Sequence, residues 1–163
     1  MSRTKKLTYA GVLCGVAIVG SALSFPIFGS RCAPVQHIVN VIAAVLFGPF
    51  YAIGMAFVSS LIRNMLSMGT ILAFPGSMFG AFLAGVMFKI FKKPSMAALG
   101  EIFGTSVLGG LAAYPLAIKF LGSVAGTIFF YSYILPFFVS TSVGAILGLC
   151  IIKIWKKGGY KIA

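Results

Sequence analysis

The segment "SSLIRNMLSMGTILAFPGS" (residues 59–77) is apolar for most of its length, yet Arg63 and Asn64 stand side by side within it. Two helix-breaking cues follow, "SMGT" and then "FPG", so one apolar run ends here and another begins. Runs of this type fill the chain. Hydrophobic residues make up 60% of the 163 and charged residues only 9%, where a soluble domain carries roughly a quarter charged. The composition defines an integral membrane protein. With about 20 residues per crossing, it fits a single domain, residues 1–163, built as an all-α bundle of transmembrane helices.

Working outward from this segment, six spans are expected. Span one covers about Leu7–Phe28, ending at Phe25-Pro26. Span two starts near Val35 after "GSRCAP" and stops at "FGPF", where Gly48-Pro49 breaks the helix. Span three covers about Phe50–Ser67, span four Phe74–Phe91, span five Met96–Leu121, and span six Ala125–Ile154, long enough to be tilted or kinked at Pro136. The net charge of +12 lies mainly in three clusters: Arg3, Lys5 and Lys6; Lys89, Lys92 and Lys93; Lys153, Lys156, Lys157 and Lys161. An even number of spans puts all three on one side, which the positive-inside rule makes cytoplasmic, together with both termini. Arg31, Arg63 and Lys119 then fall near the outer ends of spans one, three and five.

Several function classes lose support at once. Basic clusters that flank apolar runs suit anionic headgroups of the cell membrane and not a nucleic acid. Cys14, Cys32 and Cys150 form no C-x-x-C pair, so no disulfide framework or metal site is expected. No Gly-Lys-Ser or Gly-Lys-Thr element is present, so any ATP used must be hydrolysed by another chain. The chain holds one acidic residue and one histidine, which supplies neither a carboxylate pair nor a nucleophile with its base. It reads as a non-enzyme without a cofactor. A channel would need polar residues through the whole membrane, whereas here they gather outside.

Two polar constellations remain. In "RCAPVQHIVN", Gln36, His37 and Asn40 share one side of the outer turns of span two, with Arg31 nearby. In span three, Ser59, Ser60, Arg63 and Asn64 form one stripe, with Arg63 about 20 Å above the cytoplasmic end at 1.5 Å per residue. Its guanidinium could snorkel to headgroups, but lipid cannot satisfy Asn64 beside it. Phe74, Tyr131 and Tyr133 are candidates to stack on a flat ligand. Glu101, the lone acid, belongs to a stripe of small and polar residues at four-residue spacing: Ala97, Glu101, Thr105, Gly109 and Ala113. A structural or partner-facing role is expected for it. Gly76, Gly80 and Ala84 in span four repeat the same step, as do the pairs Ala10 and Cys14, and Gly11 and Gly15, in span one. Spacing of this type lets helix backbones approach closely, within the bundle or against another subunit.

The segments "SLIRNMLSMGT", "FPGSMFGAFLAG", "PVQHIVNVIAAVLFGPFYA" and "ALGEIFGTSVLGG" together resemble the ThiW family, substrate-specificity (S) components of energy-coupling factor vitamin transporters. The resemblance runs through nearly the whole chain in order, with span six matching only as generic apolar sequence. It implies a six-helix bundle that takes hydroxyethylthiazole, the thiazole moiety of thiamin, from outside. It also implies assembly with a transmembrane coupling subunit and two ATP-binding-cassette ATPases. In such transporters an alanine-x-x-x-alanine pattern in the first span meets the coupling subunit, which points to Ala10, Gly11, Cys14 and Gly15, with Cys14 at the second alanine position. The loop after span one resembles a pocket lid. A small, uncharged aromatic ligand needs a few directed hydrogen bonds and an apolar wall. Gln36, His37 and Asn40 are expected to address its ring nitrogen or hydroxyl, with Asn64 opposite and Arg63 orienting the pocket or donating one bond. Related S components bind other vitamins, thiamin or hydroxymethylpyrimidine among the candidates. A non-transporting oligomeric or channel-forming subunit is the alternative from another class.

Overall fold

A computed structural model describes residues 2–27, 30–122 and 129–159, leaving the side chain of Arg31 outside what is described. Helix α1 (Arg3–Gly20) is capped by the Ser2 hydroxyl, which accepts from the Lys5 amide. A 3₁₀ turn (Ser21–Leu23) leads into a short hairpin, β1 (Phe25–Ile27) paired antiparallel with β2 (Ser30–Cys32). The expected first span therefore ends early. Pro26 cannot continue the helix and is tolerated at the edge of a two-stranded ribbon; outside this short ribbon the described elements are helical, in line with the all-α expectation.

Helices α2 (Pro34–Phe47), α3 (Pro49–Met65) and α4 (Ala73–Phe91) follow. Next comes one continuous rod made of α5 (Pro94–Phe103), a π-helical segment (Gly104–Gly109) and α6 (Gly110–Leu121), and finally α7 (Ile134–Lys157). Proline opens α2, α3 and α5, where its missing N–H costs nothing and its fixed φ suits the first turn. Only Gly48 separates α2 from α3, and its φ of +84° needs a residue without Cβ. The expected start of span six at Ala125 lies outside the described residues. Pro136 sits in the first turn of α7 and not inside a long span. Its absent N–H has no partner to lose there, which removes the reason for a kink.

Among the described residues, four helices are long and apolar enough to cross a membrane: Arg3–Leu23, Ala73–Phe91, Pro94–Phe120 and Ile134–Lys157. Helix α2, with 14 residues, rises only about 21 Å at 1.5 Å per residue, less than the ~30 Å hydrocarbon core. It sits at the centre instead. Ten of its 14 residues are buried, and it touches α1, α3, α4, α5 and α7. Large apolar side chains face outward around it, among them Val12 and Val19 on α1, Phe57 on α3, Phe103 on α5 and Ile146 on α7. In water that surface would be a liability; in lipid it is the solvated face. The chain is a multi-pass membrane protein.

The two small-residue stripes meet each other. A Cβ on Gly109 would collide with the Gly76 backbone, and one on Gly100 would lie 2.7 Å from the Leu83 carbonyl oxygen. The backbones of α4 and of the α5–π rod thus run against one another, and this seam carries the polar groups described next.

Candidate functional site

The polar groups gather at the end of the bundle away from the lysine clusters. A narrow cleft, about 30 Å³ in volume, is bounded by the first turns of α2, α4 and α7, the end of α3 and the π segment. Gln36, His37, Arg63, Thr70, Ser77 and Ser140 give it polar walls, and Phe137 gives it an aromatic one. Ser140 also accepts a hydrogen bond from the Ala33 amide at 3.1 Å, which ties the start of α2 to α7.

Glu101 lies beneath the cleft, fully buried. Its Oε1 is 2.8 Å from His37 Nδ1 and accepts from Asn40 Nδ2 at 3.0 Å. The Thr105 hydroxyl lies 3.3 Å from the same oxygen and 3.1 Å from the Gly76 carbonyl oxygen, so its single proton serves one or the other. Thr105, the second residue of the π segment, lies four positions after Glu101, so both face the α4 backbone. Glu101 Oε2 has no hydrogen-bond partner among the described residues. It faces Gly80, where an added Cβ would come within 2.8 Å of it. Burial of a carboxylate is costly unless donors converge on it; here they converge on one oxygen.

Five residues expected from the sequence to bind a ligand divide into two groups. Gln36, His37 and Arg63 line the cleft. Asn40 turns down to Glu101 and to the Ser77 carbonyl oxygen, at 3.4 Å. Asn64 closes the turn after α3, donating to the carbonyl oxygens of Ser60 at 2.8 Å and Thr70 at 3.2 Å. Arg63 is only 2% exposed, so it does not snorkel to headgroups. Ser60 bridges the two expected clusters: it lies 2.8 Å from Ser77 Oγ and accepts from Gln36 Nε2 at 3.4 Å. A partner-facing role for Glu101 is ruled out by its burial in the bundle interior.

The aromatic candidates pack elsewhere, Phe74 edge-on to Phe57 and Tyr131 stacked on Phe129. Tyr133 tilts against Phe137, and it is Phe137 that reaches the cleft. Sequence reasoning missed Phe137, Ser77 and Ser140. The only signal was their position, one turn or two inside the outer ends of α4 and α7.

Of the four residues expected to face a partner, Ala10 is buried and Cys14 is half-buried with its thiol 3.7 Å from the Met55 carbonyl oxygen. Gly11 and Gly15 have open space where a Cβ would be. Ala10, Gly11 and Cys14 form one side of an apolar groove of about 510 Å³, with Phe50, Gly54 and Val58 of α3 on the other.

A bundle with an apolar belt, lysines at one end and a polar, aromatic-walled cleft at the other belongs to the class of membrane proteins that handle small molecules. Residues 7–158 match the ThiW family, described as thiamine-precursor transporter protein, and the chain belongs to that family. Comparison with curated proteins found no match.

Proposed function

We propose that this chain is the substrate-binding S component of an energy-coupling factor importer in the cell membrane, capturing hydroxyethylthiazole from outside for ATP-driven uptake. The observation that carries the reading is the cleft, which combines a few directed polar groups with one aromatic wall at the lysine-poor end of the bundle. Six helical rods cross or line the membrane in this reading, with both termini and all lysine clusters cytoplasmic. The cleft then opens outward, toward arriving substrate. His37 and Gln36 supply hydrogen bonds to the ring nitrogen or hydroxyl, Phe137 covers the ring face, and Arg63 shapes the opposite wall. Asn40 and Asn64 act from behind, one holding Glu101 and the other the 66–72 turn. The cleft has room for little more than water, so seating a five-membered ring requires its walls to part.

The groove between α1 and α3 is the proposed seat of the coupling subunit. It is apolar and open, and Ala10, Gly11 and Cys14 on one wall and Gly54 on the other are small, which allows a partner helix to approach closely there. The coupling subunit would bring two ATP-binding-cassette ATPases; no enzymatic role is assigned to this chain.

Calorimetric titration of the purified protein with hydroxyethylthiazole, thiamin and hydroxymethylpyrimidine tests the assignment. Selective binding of hydroxyethylthiazole is expected. Preference for either of the others would keep the S-component reading and move the ligand. Recovery of a homo-oligomer alone, with no ATPase in a pull-down from native membranes and no ligand bound, would favour a structural or channel-forming subunit.

A further inference from the structure

Hydrogen-bond direction at His37 determines what a ligand in the cleft must offer. Asn40 Nδ2 can only donate, so Glu101 Oε1 accepts at that contact. If Glu101 is ionised, Oε1 is an acceptor outright. With Glu101 as the carboxylate, the hydrogen at the 2.8 Å contact belongs to His37 Nδ1. A neutral imidazole that donates from one nitrogen accepts at the other. His37 borders the cleft and keeps 8% of its side chain exposed, with Nδ1 turned down to Glu101. Nε2 is the nitrogen left for a ligand.

We infer that Glu101 is a positioning residue that locks His37 in its Nδ1–H tautomer, so that the cleft selects uncharged ligands presenting a hydroxyl donor to His37 Nε2. This rests on the proposed thiazole-binding role of the cleft and specifies its selectivity. The hydroxyethyl arm, and not the ring nitrogen, meets His37: the ring nitrogen of a thiazole is an acceptor and would face another acceptor. Gln36 Nε2 or the Arg63 guanidinium, both donors on the same cleft, serve the ring nitrogen instead.

The chain contains a single histidine, so ¹⁵N-histidine labelling of protein without a polyhistidine tag reports this one ring. In the wild type Nδ1 is expected to show a protonated, pyrrole-type resonance and Nε2 a pyridine-type one, the latter moving when hydroxyethylthiazole binds. Titration should show the hydroxyl compound binding about tenfold more tightly than its methyl ether, which keeps the oxygen but loses the donor. Glu101→Gln retains a carbonyl acceptor and should preserve both the tautomer and the preference. Glu101→Met has no acceptor, and both should be lost. If Glu101→Met does not fold, the wild-type resonances and the ether comparison still decide. A protonated Nε2 in the wild type, or equal affinity for alcohol and ether, overturns the inference and leaves thiazole binding standing. Failure of every thiazole to bind overturns both.

Discussion

His37 and Glu101, the one histidine and the one acidic residue of the chain, are 64 positions apart and meet at 2.8 Å inside the bundle. The pairing joins α2 to α5 at the floor of the cleft, with Asn40 adding a second bond from α2 to the same oxygen. Removing either partner would leave buried donors or acceptors stranded, so the pair links stability of the bundle to the geometry of the site.

Replacing Glu101 with alanine should strip acceptors from both His37 and Asn40. A cost of about 1–3 kcal/mol is expected for stranding buried polar groups. Thermal unfolding in detergent, followed by intrinsic fluorescence or circular dichroism, should show a clearly lower midpoint than the wild type. An unchanged midpoint would mean that the buried bonds carry no net stability.

Gly80→Ala tests the seam between α4 and the π segment. Its methyl would run into Thr105 Oγ1 and the Glu101 carboxyl group. Overpacking of this kind costs about 1–3 kcal/mol, read in the same unfolding assay. Thiazole affinity should fall as well, because the two residues displaced support His37.

His37→Ala is expected to weaken hydroxyethylthiazole binding by about tenfold or more, through loss of one directed hydrogen bond in a buried site. Asn64→Ala should weaken it less, since Asn64 bonds to the 66–72 turn and does not border the cleft. Equal losses in calorimetry would show that the turn itself is part of the binding surface.

Gly11→Leu and Gly54→Leu probe the α1–α3 groove. Nothing lies within 4 Å of a Cβ at either position, so the fold should tolerate both. Thiazole binding is expected to stay at the wild-type level while co-purification of a coupling subunit is lost. Retention of the partner by both variants would place the contact on another face.

Orientation can be read by cysteine labelling in a background without the three native cysteines. Met68→Cys, in the turn after α3, should react with an impermeant maleimide on intact cells. Lys92→Cys, between α4 and α5, should react only after permeabilisation. The reverse pattern would turn the cleft toward the cytoplasm.

Much of the architecture was legible from residue type and spacing. Membrane residence follows from composition, and the helix boundary at Gly48-Pro49 from proline's missing N–H. The sidedness expected for the lysine clusters rests on the positive-inside rule. The glycine and alanine steps on spans four and five marked faces that do pack closely. Helical periodicity also put Gln36, His37 and Asn40 on one face and Arg63 at the outer end of α3.

Tertiary structure decided which of those faces meet and at what depth. Spacing places a side chain on a helix face, but three neighbouring helices can stand against that face, and the sequence carries no term that chooses among them. Asn40 and His37 share a face, yet only the approach of α5 turns Asn40 down to Glu101 and leaves His37 between carboxyl and cleft. Arg63 in "SSLIRNM" looked able to snorkel, and the packing of neighbouring elements buried it instead. The hairpin at 25–32 depends likewise on pairing between residues that neither helical periodicity nor hydropathy distinguishes from a span end. Local chemistry settled what each segment could be; the close approach of helix backbones at the Gly76–Gly109 seam settled which polar groups would share one buried oxygen.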